Sequence, residues 1–275
     1  MKKETLLFII INYFNETEVS NFVVTHFGNG NNHDAEIVIV NNGCHQISIL
    51  DSLSQKFSFV KILSAEKNLG YFGAANFGLM HYLKSNELAD ATIICNTDIA
   101  FAKDSFFGSL KNILSTKEFD VLGPDIYSTF LKYHQNPFIT KRLSRGIIKR
   151  YKFFTSNVFL YALFTILHLV KTKIIRSKMQ AKIDQPMTTY AVHGSFMVFN
   201  KSYFTKGGTL HYPSFLFGEE IFVAETALKL NMKVLYEPSL VVNHFQNTTT
   251  GTFKSAQTVK FMHQSYCYLL NTYFV

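Results

Sequence analysis

The chain has 275 residues, of which 47% are hydrophobic and 17% are charged. This composition excludes a disordered protein, a collagen and a disulfide-stapled miniprotein, and a mean hydropathy of +0.08 excludes a polytopic membrane protein. The formal net charge is +8, but ten of the 27 basic residues lie between Lys141 and Lys178, a stretch without any acidic residue. The excess charge is therefore local, and no nucleic-acid partner is expected.

Neither the cysteines nor the N-terminal residues indicate export. The three cysteines are scattered and form no CxxC pair, which argues against a zinc ribbon or a disulfide framework and fits a reducing compartment. They are Cys44, Cys95 and Cys267. Lys2 and Lys3 precede an apolar run, but Glu4 interrupts it, and its six residues fall short of the roughly 7–15 of a secretory segment. We therefore interpret this run as a buried strand.

Four short apolar segments in the first hundred residues have the length and composition of buried strands. They are Leu6–Ile11, Glu36–Val40, Phe59–Leu63 and Thr92–Cys95. Apolar residues at helical spacing lie between the first two segments and between the last two. This alternation predicts an α/β fold with a mostly parallel central sheet flanked by helices.

A polar segment follows each of these predicted strands. The four segments are Asn12–Glu16, Asn41–Gly43, Glu66–Gly70 and Asn96–Asp98. Any one of them could be an ordinary turn. Because ligands of parallel sheets bind beyond the carboxyl ends of the strands, the four together predict a binding site at that edge.

The second half of the chain contains an insertion and further elements. Residues 137–185 carry the basic cluster and a run of eighteen uncharged residues, Phe153–Val170. The pattern beyond them predicts a helical insertion followed by strands and two helices. The predicted elements are a strand at Tyr190–Asn200, a helix at Glu219–Leu230, strands at Lys233–Tyr236 and Leu240–Asn243, and a helix at Ser255–Tyr273. The last helix is either a dimer contact or part of the core.

Three positions carry candidate chemistry. Asp98 ends a buried strand, where a carboxylate could hold Mg²⁺ or Mn²⁺ on substrate phosphates or could simply cap a helix. Glu219 and Glu220 begin a helix, where the dipole favours carboxylates and one of them could act as a general base on a hydroxyl. His244 ends the last strand and could either complete a metal site or be structural.

The segment Asn68–Gly78 contains three glycines and two alanines at the start of a predicted helix. Small residues there allow the backbone to approach a ligand closely. The glycine spacing is not GxGxxG, and no Walker A pattern occurs in the chain.

In their order and spacing these motifs resemble the family 2 glycosyltransferases with a GT-A fold, of the bacterial polysaccharide and rhamnosyltransferase type. Ile11–Asn15 resembles the first strand and nucleotide loop of that family, and Asn68–Gly78 its NxGfgxAxNxG segment. Asn96–Asp98 stands at the DxD-type metal motif, Phe215–Glu220 resembles FxxxED, and His244 matches the histidine that follows. The resemblance spans about residues 5–136 and 186–250.

The resemblance implies a role for each matching residue. Glu220 would be the catalytic base with Glu219 beside it, and Asp98 and His244 would bind Mn²⁺ or Mg²⁺. The residues implied in nucleotide-sugar binding are Asn12, Tyr13, Asn15, Asn41, Asn68, Gly70, Asn76 and Asn96.

Four departures from the family pattern bear on specificity, one of them being Phe222 and Thr226 in place of the second acid and the arginine that often follow the ED pair. Asn41 stands where the family usually has Asp, so base recognition can differ from the usual uracil or thymine contact. Asn96 replaces the first acid of DxD and leaves fewer charges on the metal, and Glu220 replaces Asp with a side chain one methylene longer.

The resemblance further implies an inverting, metal-dependent transfer from a nucleotide-diphosphate sugar to a glycan acceptor. The expected setting is the synthesis of cell-surface polysaccharide such as O-antigen or capsule. We expect four units: a nucleotide-sugar half (1–136), the basic and apolar insertion (137–185), an acceptor half (186–250) and a C-terminal helix (251–275).

The insertion suggests that the enzyme works at a membrane surface. Eighteen helical residues span about 27 Å, just short of a bilayer core of about 30 Å. A single crossing would also put Asp98 and Glu220 on opposite sides of the membrane. We therefore expect the segment to lie in the interface or to pack as a hairpin, although a buried helix with solvated basic ends is the alternative. The expected place is the cytoplasm, peripheral on the inner membrane face, with a lipid-linked acceptor. The residues expected to meet lipid or acceptor are Arg142, Arg145, Lys149, Arg150, Lys152, Lys171 and Lys173.

Two other function classes remain open at this point. A nucleotidyltransferase would need a basic phosphate-clamping loop near the N-terminus, but no Lys or Arg lies between Ile11 and Lys56. A non-catalytic module binding membrane or RNA could stack bases on Phe153, Phe154 and Phe159, but would leave the two adjacent glutamates without a use.

Overall fold

A computed structural model describes residues 4–28, 34–43, 48–175, 182–245 and 255–275, with only the backbone described from 168 to 175. Cys44, Arg176 and Lys178 lie outside the described residues.

The first half of the chain alternates strands and helices, as the apolar segments predict. Its elements are β1 (Leu6–Asn12), α1 (Glu16–Phe27), β2 (Ala35–Asn42), α2 (Ser48–Lys56), β3 (Val60–Ala65), α3 (Tyr71–Tyr82) and β4 (Ala91–Cys95). These four strands are mutually parallel in the spatial order β3-β2-β1-β4. Their carboxyl ends therefore lie along one edge.

The second half of the chain extends the same sheet with strands of both directions. Its strands are β5 (Ile99–Phe101), β6 (Val121–Ser128), β7 (Tyr133–His134), β8 (Met187–Thr188), β9 (Phe196–Asn200) and β10 (Val234–His244). Its helices are α4 (Phe106–Thr116), α5 (Arg145–Thr155), α6 (Val158–Ile175), α7 (Lys201–Thr205), α8 (Glu219–Lys229) and α9 (Ala256–Tyr273). β9 lies antiparallel between β4 and β6, and β10 continues parallel to β6. The α/β fold with a helix-flanked sheet is thus confirmed, with its parallel strands concentrated in the first half.

Helices cover both faces of the sheet, so its central strands are apolar along their whole length. In β1, Leu6, Phe8 and Ile10 pack against α1, α2 and α4, whereas Leu7 and Ile9 face the layer that contains α3, α8 and α9. The alternation of side chains along a strand produces these two layers from one continuous hydrophobic run.

Two predicted strand boundaries were wrong. The strand expected at Tyr190–Asn200 is limited to Phe196–Asn200, because Tyr190 to Ser195 form a loop that supplies polar groups to the sheet edge. The two strands expected at Lys233–Tyr236 and Leu240–Asn243 are one strand, β10, whose pairing with β6 is irregular between Glu237 and Val241. Pro238 has no N–H to donate, which accounts for the irregularity without ending the strand.

The insertion forms two helices, α5 and α6, that fold back on each other. The break falls at Ser156 and Asn157, where the Asn157 side chain accepts a hydrogen bond from the Phe159 amide, as an N-cap does. Tyr151 of α5 packs on Tyr266 of α9 with ring centroids 5.2 Å apart, and Phe154 packs on Phe164 of α6 at 4.9 Å. The apolar run is therefore a hairpin seated on α9, one of the two arrangements expected. None of the described helices is long and apolar enough to cross a bilayer.

Arg142 differs from the rest of the basic cluster. Its guanidinium donates two hydrogen bonds of 2.9 Å to the buried carboxylate of Glu225 on α8 and a third to the Tyr273 carbonyl. Tyr190 donates a further hydrogen bond of 2.6 Å to Glu225. The charge of Arg142 therefore neutralises a buried acid, while about half of its side chain stays exposed.

Candidate functional site

Asparagine side chains connect the ends of β1 and β2. Asn12 and Asn41 are both buried, and the Asn12 amide donates to the Asn41 side-chain oxygen at 3.0 Å. The Asn12 oxygen accepts from the backbone N–H of Asn15, which begins α1 and is exposed. These bonds fix the loop after β1 against β2. Within that loop Tyr13 is about half exposed, so its ring remains available to a ligand.

A second asparagine pair fixes the loop before α3. The buried Asn42 amide donates to the Asn68 side-chain oxygen at 2.9 Å and to the Gly70 carbonyl at 3.1 Å, and the Asn42 oxygen accepts from Leu69 N–H at 2.8 Å. Asn42 was not among the predicted site residues. Its position next to Asn41 at a strand end was the only indication in the sequence.

Gly70 brings the start of α3 against the segment that leads into α8. Its φ is +76°, and a Cβ at this position would lie 1.9 Å from the Phe215 carbonyl oxygen. Only glycine fits such an approach. Within the motif Asn68–Gly78, Gly70 therefore allows the start of α3 to contact the segment before α8. Asn76 of the same motif lies on α3 and is half-buried.

The turn Asn96–Asp98 after β4 is held on three sides. Asn96 N–H donates to the Ser195 carbonyl at 2.9 Å, and its side-chain oxygen accepts from the Tyr71 hydroxyl at 3.2 Å. The Asp98 carbonyl accepts from Phe245 N–H at 2.8 Å. Burial first, and then acidic groups that include Glu219, Asp98 and Glu220, hold the pKa of Tyr71 well above its ordinary value. Tyr71, which the sequence analysis did not select, thus stays protonated among the carboxylates.

Asp98 and His244 form a close pair. His244 Nε2 lies 3.3 Å from Asp98 Oδ1, and His244 Nδ1 lies 2.7 Å from the side-chain oxygen of buried Gln135. An amide oxygen only accepts, so this contact places a proton on Nδ1 and leaves Nε2 as the nitrogen that faces Asp98. Gln135 lies outside every motif recognised in the sequence.

His193 extends this group towards the two glutamates. Its ring lies with its centroid 6.0 Å from that of His244, and its Nδ1 accepts a hydrogen bond from Ser195 N–H at 3.1 Å. Burial, and secondarily the proximity of His244, lower the pKa of His193 to about 3, so it remains neutral. The next residue, Gly194, donates its N–H to Glu220 Oε1 at 3.2 Å.

Glu219 and Glu220 open α8 after Gly218, and their environments differ. Burial, reinforced by the charge of Glu220, raises the pKa of Glu219 to about 8. Burial also raises the pKa of Glu220, but hydrogen bonds from its own N–H and from Gly194 N–H favour its ionised form. Two adjacent carboxyl groups with different hydrogen-bond partners suit the roles of proton-holding neighbour and base.

The structure thus brings Asp98, His244, Glu219 and Glu220 to one edge of the sheet, with Asn12, Asn41 and Asn68 along the same edge. The exposed basic residues of α5 lie on the hairpin. Lys171 and Lys173 belong to the part of α6 for which only the backbone is described.

The Asp98–His244 pair fits a cation that arrives with a substrate. Among the described residues, no group of three or more His, Cys, Asp or Glu side chains could hold a metal ion. Mg²⁺ and Mn²⁺ commonly use one or two protein ligands together with substrate phosphates and water. One carboxylate and one imidazole lone pair meet that requirement.

The chain matches the family model described as Glycosyl transferase family 2 over residues 8–208. This chain is a family 2 glycosyltransferase. The GT-A fold and the resemblance noted in the sequence are thereby confirmed, and the match runs through the insertion as well as the strands. A comparison with curated proteins gives no match.

Two solved structures share the fold of this glycosyltransferase at low sequence identity. GalNAc-T7 with UDP, GalNAc and Mn²⁺ aligns with a TM-score of 0.56 and 13% identity, covering 98% of this chain and 50% of that one. A mannosyltransferase from Pyrobaculum calidifontis in complex with GDP-Man and Mn²⁺ aligns with a TM-score of 0.55 and 11% identity, covering 99% and 73%. This chain therefore spans half the length of the first of these proteins.

Proposed function

We propose that this glycosyltransferase moves a sugar from a nucleotide-diphosphate sugar to a hydroxyl group of a glycan acceptor, with inversion and with a bound Mn²⁺ or Mg²⁺. The observation that carries the proposal is the meeting of the Asp98–His244 pair with the Glu219–Glu220 pair at one edge of the sheet. Both structural neighbours were solved with a nucleotide or nucleotide sugar and Mn²⁺.

The residues divide the work of the reaction. Asp98 and His244 would hold the cation, which would supply positive charge to neutralise the leaving diphosphate. The Glu220 carboxylate, which accepts a hydrogen bond from Gly194 N–H, removes the proton of the attacking hydroxyl. Glu219 keeps its proton near neutral pH, so the two acids do not compete as bases.

The donor would lie along the asparagine-lined edge. Asn12, Asn41 and Asn68 are already fixed by hydrogen bonds, so they pre-form the loops that would face the nucleotide. The residues proposed to bind the nucleotide sugar are Asn12, Tyr13, Asn15, Asn41, Asn68, Gly70, Asn76 and Asn96.

A panel of nucleotide sugars with and without Mn²⁺ tests the proposal. We expect one donor to raise the melting temperature in a Mn²⁺-dependent way and to be turned over with an acceptor glycan.

Glu220→Gln should lower kcat by about 10²–10⁴-fold with the donor still bound. Asp98→Asn should remove the Mn²⁺ dependence of binding. Undiminished turnover in Glu220→Gln would exclude Glu220 as the base. Formation of a nucleoside triphosphate and a sugar 1-phosphate when pyrophosphate is added to the nucleotide sugar, without sugar transfer, would indicate a nucleotidyltransferase instead.

We further propose that the acceptor is lipid-linked and that the enzyme is peripheral on the cytoplasmic face of an anionic membrane, in surface-polysaccharide synthesis such as O-antigen or capsule. Support comes from the hairpin face, defined as the exposed apolar side chains of α5 and α6. It consists of Phe153, Val158, Phe159, Leu163, Ile166 and Leu167, which are 37–84% exposed. Basic side chains of α5 flank this face: Arg145, Lys149, Arg150 and Lys152. An apolar surface with basic flanks suits an anionic bilayer, at about 1 kcal/mol per basic residue.

Vesicle sedimentation at low salt tests the membrane proposal. The wild type should bind vesicles that contain a third phosphatidylglycerol and bind pure phosphatidylcholine weakly. Replacing Phe159, Leu163 and Leu167 with Ser should abolish binding, and replacing Lys149, Arg150 and Lys152 with Glu should remove the preference for anionic lipid. The matched control replaces three exposed lysines elsewhere, Lys84, Lys103 and Lys229, with Glu. Equal binding by all variants would contradict the assignment.

A further inference from the structure

The backbone immediately before the two glutamates adopts an unusual conformation. Phe217 and Gly218 are both in the left-handed region, with φ of +71° and +83°. Glycine accepts this conformation readily, but Phe217 does not, so its surroundings must hold it there. Gly218 then caps α8, and the direction of this turn decides where Glu219 and Glu220 point.

Two buried hydroxyl groups meet at the Phe217 carbonyl. The Ser265 hydroxyl donates to this oxygen at 2.6 Å, and the Tyr212 hydroxyl lies 3.1 Å from it. The two hydroxyl oxygens are 2.6 Å apart. Ser265 is fully buried and Tyr212 nearly so, and Ser265 belongs to α9. We name Tyr212, Ser265 and the Phe217 carbonyl the hydroxyl clasp.

Packing around the hydroxyl clasp leaves no space for a side chain on Gly218. A Cβ on Gly218 would lie 2.4 Å from Ser265 Oγ and 3.0 Å from Leu269 Cδ1. The Tyr212 ring packs on Phe222 of α8, with centroids 4.8 Å apart. The turn is therefore enclosed by α8 on one side and α9 on the other.

We propose that Tyr212 and Ser265 are positioning residues, which hold the Phe217–Gly218 turn so that Glu220 faces the acceptor hydroxyl, and that α9 is thereby part of the active site. The inference rests on the proposed function of Glu220. It concerns residues beyond the matched range 8–208, so the family match does not include them. The C-terminal helix is thus neither a detached appendage nor only a dimer contact.

The test removes single oxygen atoms. Tyr212→Phe and Ser265→Ala, alone and combined, delete the hydroxyl groups and keep the rings and helix. Tyr203→Phe is the matched control, because Tyr203 is also buried and also donates to a backbone carbonyl, that of Thr209, away from the glutamates. Each variant is assayed for kcat, for donor KM and, by amide hydrogen exchange, for protection of residues 212–222.

The double variant should lose about 10²-fold in kcat with donor KM changed less than about threefold, because an ångström of misplacement at a reacting group has an effect of this size. Its amides in 217–222 should exchange at least tenfold faster. Tyr203→Phe should lower the melting temperature to a similar extent and change neither readout. Wild-type kcat and exchange in the double variant would overturn the inference.

The exchange measurement separates this inference from the proposed function. If the wild type transfers no sugar from any donor, the proposed function fails, and the exchange of 217–222 still decides whether the hydroxyl clasp holds the turn. Unchanged exchange in the double variant contradicts the clasp whatever the activity.

Discussion

Glu219 shows how one buried side chain can couple catalysis to stability. Its pKa of about 8 in the folded protein stands against an ordinary value of 4.5. Between these values the folded chain keeps the proton and the unfolded chain releases it. The free energy of unfolding therefore decreases as pH rises through this range. The stabilising contribution of the protonated group is complete below about pH 4.5 and is lost as pH approaches 8.

We predict that Glu219→Gln weakens this pH dependence. A neutral amide cannot lose a proton. Between pH 4.5 and 8, the free energy of unfolding of the variant should therefore rise relative to that of the wild type by up to about 1.4 kcal/mol for each pH unit. Urea denaturation at pH 5.5, 6.5, 7.5 and 8.5 measures the difference, with Glu87→Gln on the exposed surface as the control. A constant difference between Glu219→Gln and the wild type would contradict the raised pKa.

Gln135 determines which nitrogen of His244 faces Asp98. We predict that Gln135→Leu leaves the fold intact and weakens Mn²⁺ binding in the presence of a nucleoside diphosphate by about 10–100-fold, since the partner of a ligating histidine fixes its orientation. Electron paramagnetic resonance of free Mn²⁺ measures the affinity without any turnover. Asn86→Leu, on the exposed surface, is the control. Unchanged affinity in Gln135→Leu would remove Gln135 from this role.

At the scale of elements, Arg142 joins three segments of the fold. It precedes α5, pairs with Glu225 on α8 and donates to the carbonyl of Tyr273 at the end of α9, while its guanidinium lies over the Phe274 ring at 5.0 Å. The hairpin, the helix that begins with the glutamates and the C-terminal helix are therefore tied at one point.

We predict that Arg142→Ala lowers the free energy of unfolding by roughly 1–3 kcal/mol, because Glu225 is left buried with fewer donors. This expected loss of unfolding free energy is smaller than for a fully buried ion pair because Arg142 is half exposed. The neighbouring exposed Lys141→Ala should change stability by less than about 0.5 kcal/mol. A double-mutant cycle with Glu225→Gln measures the coupling, and additive effects would contradict the pairing.

The elements of the first half could be predicted because each strand is a short apolar run and is followed by a polar segment. The strand boundaries of the second half were harder to predict from the sequence, for two reasons. Pro238 lies inside β10, whereas Pro in a run normally indicates its end. The loop from Tyr190 to Ser195 is apolar enough to pass for strand, and only its contacts with Gln135 and Glu220 reveal its purpose.

For the molecule as a whole, the candidate site illustrates the same limit. Asp98, Glu220 and His244 stand in local motifs, so the sequence pointed to them directly. Gln135, His193 and Ser265 act through partners 48 to 109 residues away, and no local pattern records such pairs. Sequence reasoning therefore finds groups that carry chemistry more readily than the groups that hold them in place.

The placement of β9 next to β4 has a consequence during synthesis. β4 ends at Cys95, and its antiparallel neighbour is complete only at Asn200. At about 5–20 residues per second a ribosome needs roughly 5–20 s to make the intervening chain. Throughout that interval one edge of β4 lacks its neighbouring strand, while the apolar hairpin of α5 and α6 leaves the ribosome. Nascent chains are thus most prone to aggregate before the last third is translated, and slower initiation or a chaperone-rich host should raise the yield.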